Sequence, residues 1–188
     1  MKIAQKTNNK NINVVKIVDI DVYEANDMEI LKTIIKKLTK GERYFFNFRR
    51  EDTDILNNDE VIRYRDEIPN HFKQNGQYEI KFSIDKTRFG SIGYLPVNEK
   101  TFEQIAIMWK YFYGMSFFSP RSSLSWQEYG KYVEKKRDEM YGFDIVQNNL
   151  ADSVFIKGHD GDNLIFTYGV SYDKKLIEVI EKFVEMSI

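Results

Sequence analysis

Glu79-x-Lys81 is the pattern with the sharpest chemistry in this sequence. Side chains two apart on a β-strand share a face, which would set Glu79 and Lys81 side by side. With an upstream acid such as Asp52, Asp54 or Asp59, the pair makes up the set that metal-dependent nucleases use. The carboxylates hold a divalent ion, and the lysine orients or activates water. A solvated strand face produces the same Glu-x-Lys spacing, and that plainer reading is the favoured one. A second pair, Asp19-x-Asp21, suits a hard cation such as Mg²⁺, or equally a polar strand end leading into a capped helix.

Other candidates fall away on their chemistry. His159-Asp160-Gly161-Asp162-Asn163 is rich in oxygen ligands, but a calcium EF-hand loop needs a bidentate Glu at its twelfth position, and Ser171 stands there. The loop reads as a tight turn. The chain has two histidines, His71 and His159, and no cysteine, so a zinc site or a His-based triad has very few residues to draw on. Gly90-x-x-Gly93 lacks the rest of any nucleotide-binding fingerprint. No metal and no cofactor is expected.

The remaining feature is aromatic: Trp109-x-Tyr111-Phe112-Tyr113-x-Met115-x-Phe117-Phe118, then Pro120-Arg121 and Trp126. A segment aromatic on several sides must bury several sides. Any part left exposed would suit a protein interface, because Trp, Tyr and Arg bring large rigid area with a polar tip. Tyr111, Tyr113, Arg121 and Trp126 are the candidate partner-binding residues.

The elements that would position these residues follow from hydrophobic period. Residues 1–10 are polar and read as a flexible lead. Ile12 to Val22 is β-branched and alternating, hence a strand with one wet face. Asn26 and Glu29 form a capping-box pattern ahead of a helix whose stripe is Met28, Leu31, Ile34, Ile35 and Leu38. Strands are expected at 43–48, 77–84 and 91–95, while 51–76 gives no clear pattern. Thr101-x-x-Gln104 opens a helix to about Tyr113, and Ser125-x-x-Glu128 opens another that ends at Gly142. Segments 152–156 and 164–170 form a hairpin around the 159–162 turn. The last helix starts near Asp173, with Leu176, Ile177, Ile180, Phe183 and Val184 as its apolar face.

Composition sets the broad class. The chain has 188 residues, 42% hydrophobic and 15% aromatic, enough to bury a core without staples. Zero cysteines fit a reducing compartment. Met1-Lys2-Ile3-Ala4-Gln5-Lys6 leads into no apolar signal segment, and no run is long enough to span a membrane, so the cytoplasm is expected. Net charge is -1, which disfavours a general nucleic-acid binder. Residues 1–50 nonetheless carry a net +5 against -6 for the remainder, an asymmetry that can steer a charged partner.

The expected architecture is one α+β domain over 1–188. It has a mainly antiparallel sheet packed by about four helices, with 99–142 as a helical insertion and a C-terminal β-hairpin followed by an amphipathic helix. The expected function is a non-enzymatic protein-binding module with another protein as its partner. In general profile the chain is similar to bacterial immunity proteins, which neutralise a partner toxin. The alternative is a metal-dependent nuclease or phosphodiesterase using Glu79, Lys81 and Asp54.

Overall fold

A computed structural model describes residues 1–9, 11–21, 23–38, 44–49, 78–80, 89–94, 109, 115–135, 143–158, 162–172 and 178–182. Among them, eight strands form one sheet: β1 (Lys2–Asn9), β2 (Ile12–Val18), β3 (Tyr44–Arg49), β4 (Tyr78–Ile80), β5 (Phe89–Tyr94), β6 (Met115–Phe118), β7 (Ser153–Lys157) and β8 (Leu164–Gly169). Their order is β1-β2-β8-β7-β6-β3-β5-β4, and every pairing is antiparallel. The helices are α1 (Ala25–Leu38), α2 (Trp126–Lys135), α3 (Phe143–Gln147) and a helical segment at 178–182. The class is α+β, as the sequence predicts.

Among the described residues, β2, β3, β6, β7 and β8 carry apolar cores on both faces of the sheet. On β3, Tyr44 and Phe46 join one apolar cluster and Phe45 joins the other; on β6, Met115 and Phe117 separate from Phe118 in the same way. Alternation along a strand sends neighbouring side chains to opposite faces, so runs such as Tyr44-Phe45-Phe46 fill two cores at once. The first core takes α1, Trp109 and Ile180, and the second takes α2 and α3. On the first face, Val15, Phe166, Phe155, Phe117 and Phe46 stand opposite one another on five successive strands. Ring centroids along this row lie 4.7 Å (Phe166–Phe155), 5.0 Å (Phe155–Phe117) and 5.8 Å (Phe117–Phe46) apart. Such aromatic pairs each add about 0.5–1.5 kcal/mol beyond their area burial, which ties the middle of the sheet together.

Local signals explain most boundaries. α1 buries Leu31, Ile34, Ile35 and Leu38, one stripe at helical spacing. It starts at Ala25, one residue before the expected cap at Asn26. Asp27 in its first turn accepts from the Asp21 N–H at 2.9 Å, and Asp21 Oδ1 accepts from the Tyr23 N–H at 2.9 Å. α2 opens with the predicted capping box. The Ser125 N–H donates to Glu128 Oε2 (2.8 Å), and the Glu128 N–H donates to Ser125 Oγ (3.2 Å). The β7–β8 hairpin forms as expected, its loop closed by the Gly158 N–H on the Asn163 carbonyl at 2.9 Å. Of the predicted terminal helix, Ile180 lies fully buried in the first core.

Two expectations are corrected. Residues 2–9 are no loose lead but strand β1, with Lys2 opposite Val18 and Asn9 opposite Ile12. Its ladder bonds come from β2, so its polar composition does not reveal it. Within 99–142, expected to be a helical insertion, the described residues include a strand. Met115–Phe118 pairs with β3 on one side and β7 on the other, inside the sheet. The buried, aromatic Met-Ser-Phe-Phe run suits a strand covered on both faces.

Candidate functional site

α3 is only five residues long, and its end is shaped by Asn149. The Leu150 N–H donates to the Ile145 carbonyl (2.9 Å) and the Asn149 N–H to the Val146 carbonyl (3.0 Å). This is the Schellman arrangement, which needs a left-handed residue between helix and exit. Asn149 supplies it with φ 64°, a conformation asparagine tolerates better than most residues. The chain then turns into β7 through Ala151 and Asp152.

Arg121 reaches this turn from the segment after β6. Its backbone N–H donates to the Leu150 carbonyl at 2.9 Å, and its Nε (3.1 Å) and Nη2 (2.6 Å) both donate to Asp152 Oδ1. The Asp152 carbonyl in turn accepts from the Gly169 N–H at 3.0 Å, tying the turn to the end of β8. The ion pair is partly exposed, with 37% of the Arg121 and 61% of the Asp152 side chain accessible. In water such pairs contribute little to stability; this one fixes where two charges sit.

These segments frame a cleft of about 530 Å³ at one end of the sheet. Arg121 and Asp152 line it with Gln147 and Asn149 from the end of α3, Asn11 from the β1–β2 turn, Gly169 at the end of β8, and Val170 and Ser171 after it. Val146 and Ala151 supply its apolar part. Val170 is 58% exposed, a large apolar side chain at the rim. The cleft presents amides, a hydroxyl and a fixed charge pair, groups that recognise by hydrogen bonding.

Polar side chains lie inside both cores. On the second face Tyr129 donates its hydroxyl to Asn47 Oδ1 (2.6 Å), and Asn47 Nδ2 donates to Ser116 Oγ (3.2 Å). Burial pushes the Tyr129 hydroxyl far above its ordinary range. The set joins α2 to β3 and β6. On the first face Lys157 is only 8% exposed, and desolvation lowers its ammonium to about 8. At the other end of β2, the exposed Asp19 carboxylate is held below its usual value by the Lys2 ammonium 2.7 Å away.

Of the predicted partner-binding residues, Arg121 lies in the cleft. Trp126 does not present itself to a partner: it is 8% exposed and packs on Phe45, ring centroids 4.8 Å apart. It opens α2 on the face that must cover the sheet, which is why it is core. Tyr111 and Tyr113 lie outside the described residues. So do Lys81, Asp52, Asp54, Asp59, His71 and His159. Glu79 belongs to β4, the edge strand farthest from β1. Asp19 and Asp21 follow β2, six strand spacings from β4 in the sheet order. That is roughly 29 Å at the usual interstrand distance, so neither can share a metal with Glu79. Among the described residues no group of three His, Asp or Glu side chains is gathered to hold a metal, and no helix is long and apolar enough to cross a membrane.

Asn11, Gln147, Asn149 and Asp152 were not singled out by sequence. The one available signal was Asn149 following a short amphipathic run, the position where a left-handed cap belongs. The chain matches no family model, no curated protein and no solved structure.

Proposed function

We propose that this chain is a non-enzymatic binding module whose ligand is another protein, and that the Arg121 cleft is part of the contact surface. The observation that carries the reading is the Arg121–Asp152 pair. It is held by backbone bonds on both sides, it is partly accessible, and it sits among side-chain amides with the exposed Val170 at the rim. Arginine with adjacent apolar surface and adaptable amides is the chemistry of protein interfaces. Inhibition of the partner, as immunity proteins achieve it, is the sharpest form of the reading, and the cysteine-free composition suits a bacterial cytoplasm.

The test is purification of the tagged chain from its native host, beside Arg121→Ala and Asp152→Asn. A single co-eluting protein is expected with the natural chain. Its recovery should fall about tenfold with Arg121→Ala, the loss expected for an interface anchor. A clean monomer at native concentration overturns the proposal. So does Mg²⁺-dependent phosphodiesterase activity abolished by Glu79→Ala, which would favour catalysis instead.

A further inference from the structure

β8 ends on a glycine that its own fold does not require. Gly169 pairs with Ile12 of β2, and its N–H donates to the Asp152 carbonyl at 3.0 Å. Its carbonyl accepts from the Tyr172 N–H at 3.0 Å, so Gly169 opens that turn. Glycine's freedom counts at the central positions of a turn, not at the first. A Cβ built on Gly169 meets nothing closer than Val146 Cγ1 at 3.8 Å, with the Asp152 carbonyl and Ser171 Oγ at 3.9 Å. Those are ordinary contact distances, and alanine would fit. Glycine weakens a strand, and inside one it often marks a place where a ligand or another backbone comes close. The space left here is the floor of the cleft, between Val146 and Ser171.

The groups around that floor specify the chemistry of an occupant. The Arg121–Asp152 pair, closed at 2.6 Å, brings one charge of each sign, and the other lining side chains are uncharged. The Asp152 carbonyl and both polar backbone groups of Gly169 are bonded within the chain, which leaves recognition to side chains. Asn11, Gln147 and Asn149 are exposed at the cleft. Each carboxamide carries N–H donors and a C=O acceptor, the complement of a peptide group. We propose that the cleft takes an extended, uncharged stretch of the partner protein's main chain, laid across Gly169 and read by these three carboxamides. This deepens the binding-module reading and rests on it. A side chain at position 169 would lift the incoming backbone off the floor.

The probe is a capped five-residue peptide alternating Ser and Val, compared with the same peptide methylated on its main-chain nitrogens and with one carrying Asp in place of Ser. Binding to the full chain is followed by NMR through the side-chain amide signals of Asn11, Gln147 and Asn149, at low and high salt. The plain peptide should move those signals equally at both salt concentrations. The methylated peptide should bind about tenfold more weakly, having lost its main-chain donors, and the Asp peptide no more tightly than the plain one. Gly169→Ala should weaken binding about tenfold and Gly169→Leu should abolish it. Gly169→Ala should unfold in urea no earlier than the natural chain, which separates lost space from lost fold. No binding at millimolar peptide, equal binding of the methylated peptide, or unchanged binding in a folded Gly169→Ala overturns the proposal. If a native partner co-purifies with Gly169→Ala and Gly169→Leu as well as with the natural chain, the binding-module reading stands and the main-chain proposal falls.

Discussion

Replacing Lys157 with methionine should make the protein more stable, and the gain should depend on pH. Lys157 closes β7 opposite Leu164, on the first face of the sheet by alternation from Phe155. It is 8% exposed, and burial lowers its ammonium from 10.5 to about 8. At about 1.4 kcal/mol for each tenfold change in proton affinity, that fall corresponds to about 3 kcal/mol. Below pH 8 folded and unfolded chains both hold the proton, and the whole cost of burying the charge is present. Between pH 8 and 10.5 the unfolded chain keeps a proton that the folded chain has released, so the natural protein gains stability as pH rises. Methionine has similar length and no charge, and volume-conserving swaps cost less than about 1.5 kcal/mol. Lys157→Met should therefore be stabilised by up to about 3 kcal/mol at pH 7, equivalent to roughly 6–12 °C in Tm for a chain of this size. The advantage should shrink through pH 8–10.5 and disappear above it. Urea unfolding of both proteins at closely spaced pH values measures this directly. A stability difference that stays constant across that window, or a variant less stable at pH 7, would refute the reasoning.

Two further outcomes test the packing. Tyr129→Phe removes the hydroxyl that donates to buried Asn47 while keeping the ring against Phe45 and Phe118. It should cost about 1–3 kcal/mol in denaturant unfolding, and a neutral result would show that the buried set holds nothing together. Ser125→Ala removes the Oγ that accepts from the Glu128 N–H and donates to Glu128 Oε2, and leaves the backbone half of the α2 capping box in place. It should cost about 1 kcal/mol and raise the depressed Glu128 carboxyl part of the way toward its ordinary value, because the Ser125 side-chain bond is the largest cause that lowers it. A proton-detected titration of Glu128 that does not move would contradict this.

How far the sequence could be read depended on where each signal originates. The α1 stripe, the Ser125–Glu128 box and the β7–β8 hairpin each draw on residues a few positions apart, and all three are present. β1 was hidden because its order comes from pairing with β2, while its own residues are polar. β6 was hidden because a strand buried on both faces loses the alternation that identifies a strand. The cleft was legible only at Arg121. Its other parts come from sequence positions as distant as Asn11 and Ser171, and no local spacing connects them.

The sequence by itself determined the α+β class, the absence of cysteine chemistry, the caps and the hairpin, because these follow from composition and from neighbours along the chain. Tertiary structure alone decided that Trp126 is core and Arg121 accessible, two residues that looked equally fit to anchor a partner. The deciding fact is which face of the sheet each one meets. α2 must cover the second face and takes Trp126 with it, while Arg121 lies beyond the end of β6, where Asp152 holds it at the rim of a cleft. Burial depends on what the rest of the chain brings alongside a residue, and that is settled only when the strands are in order.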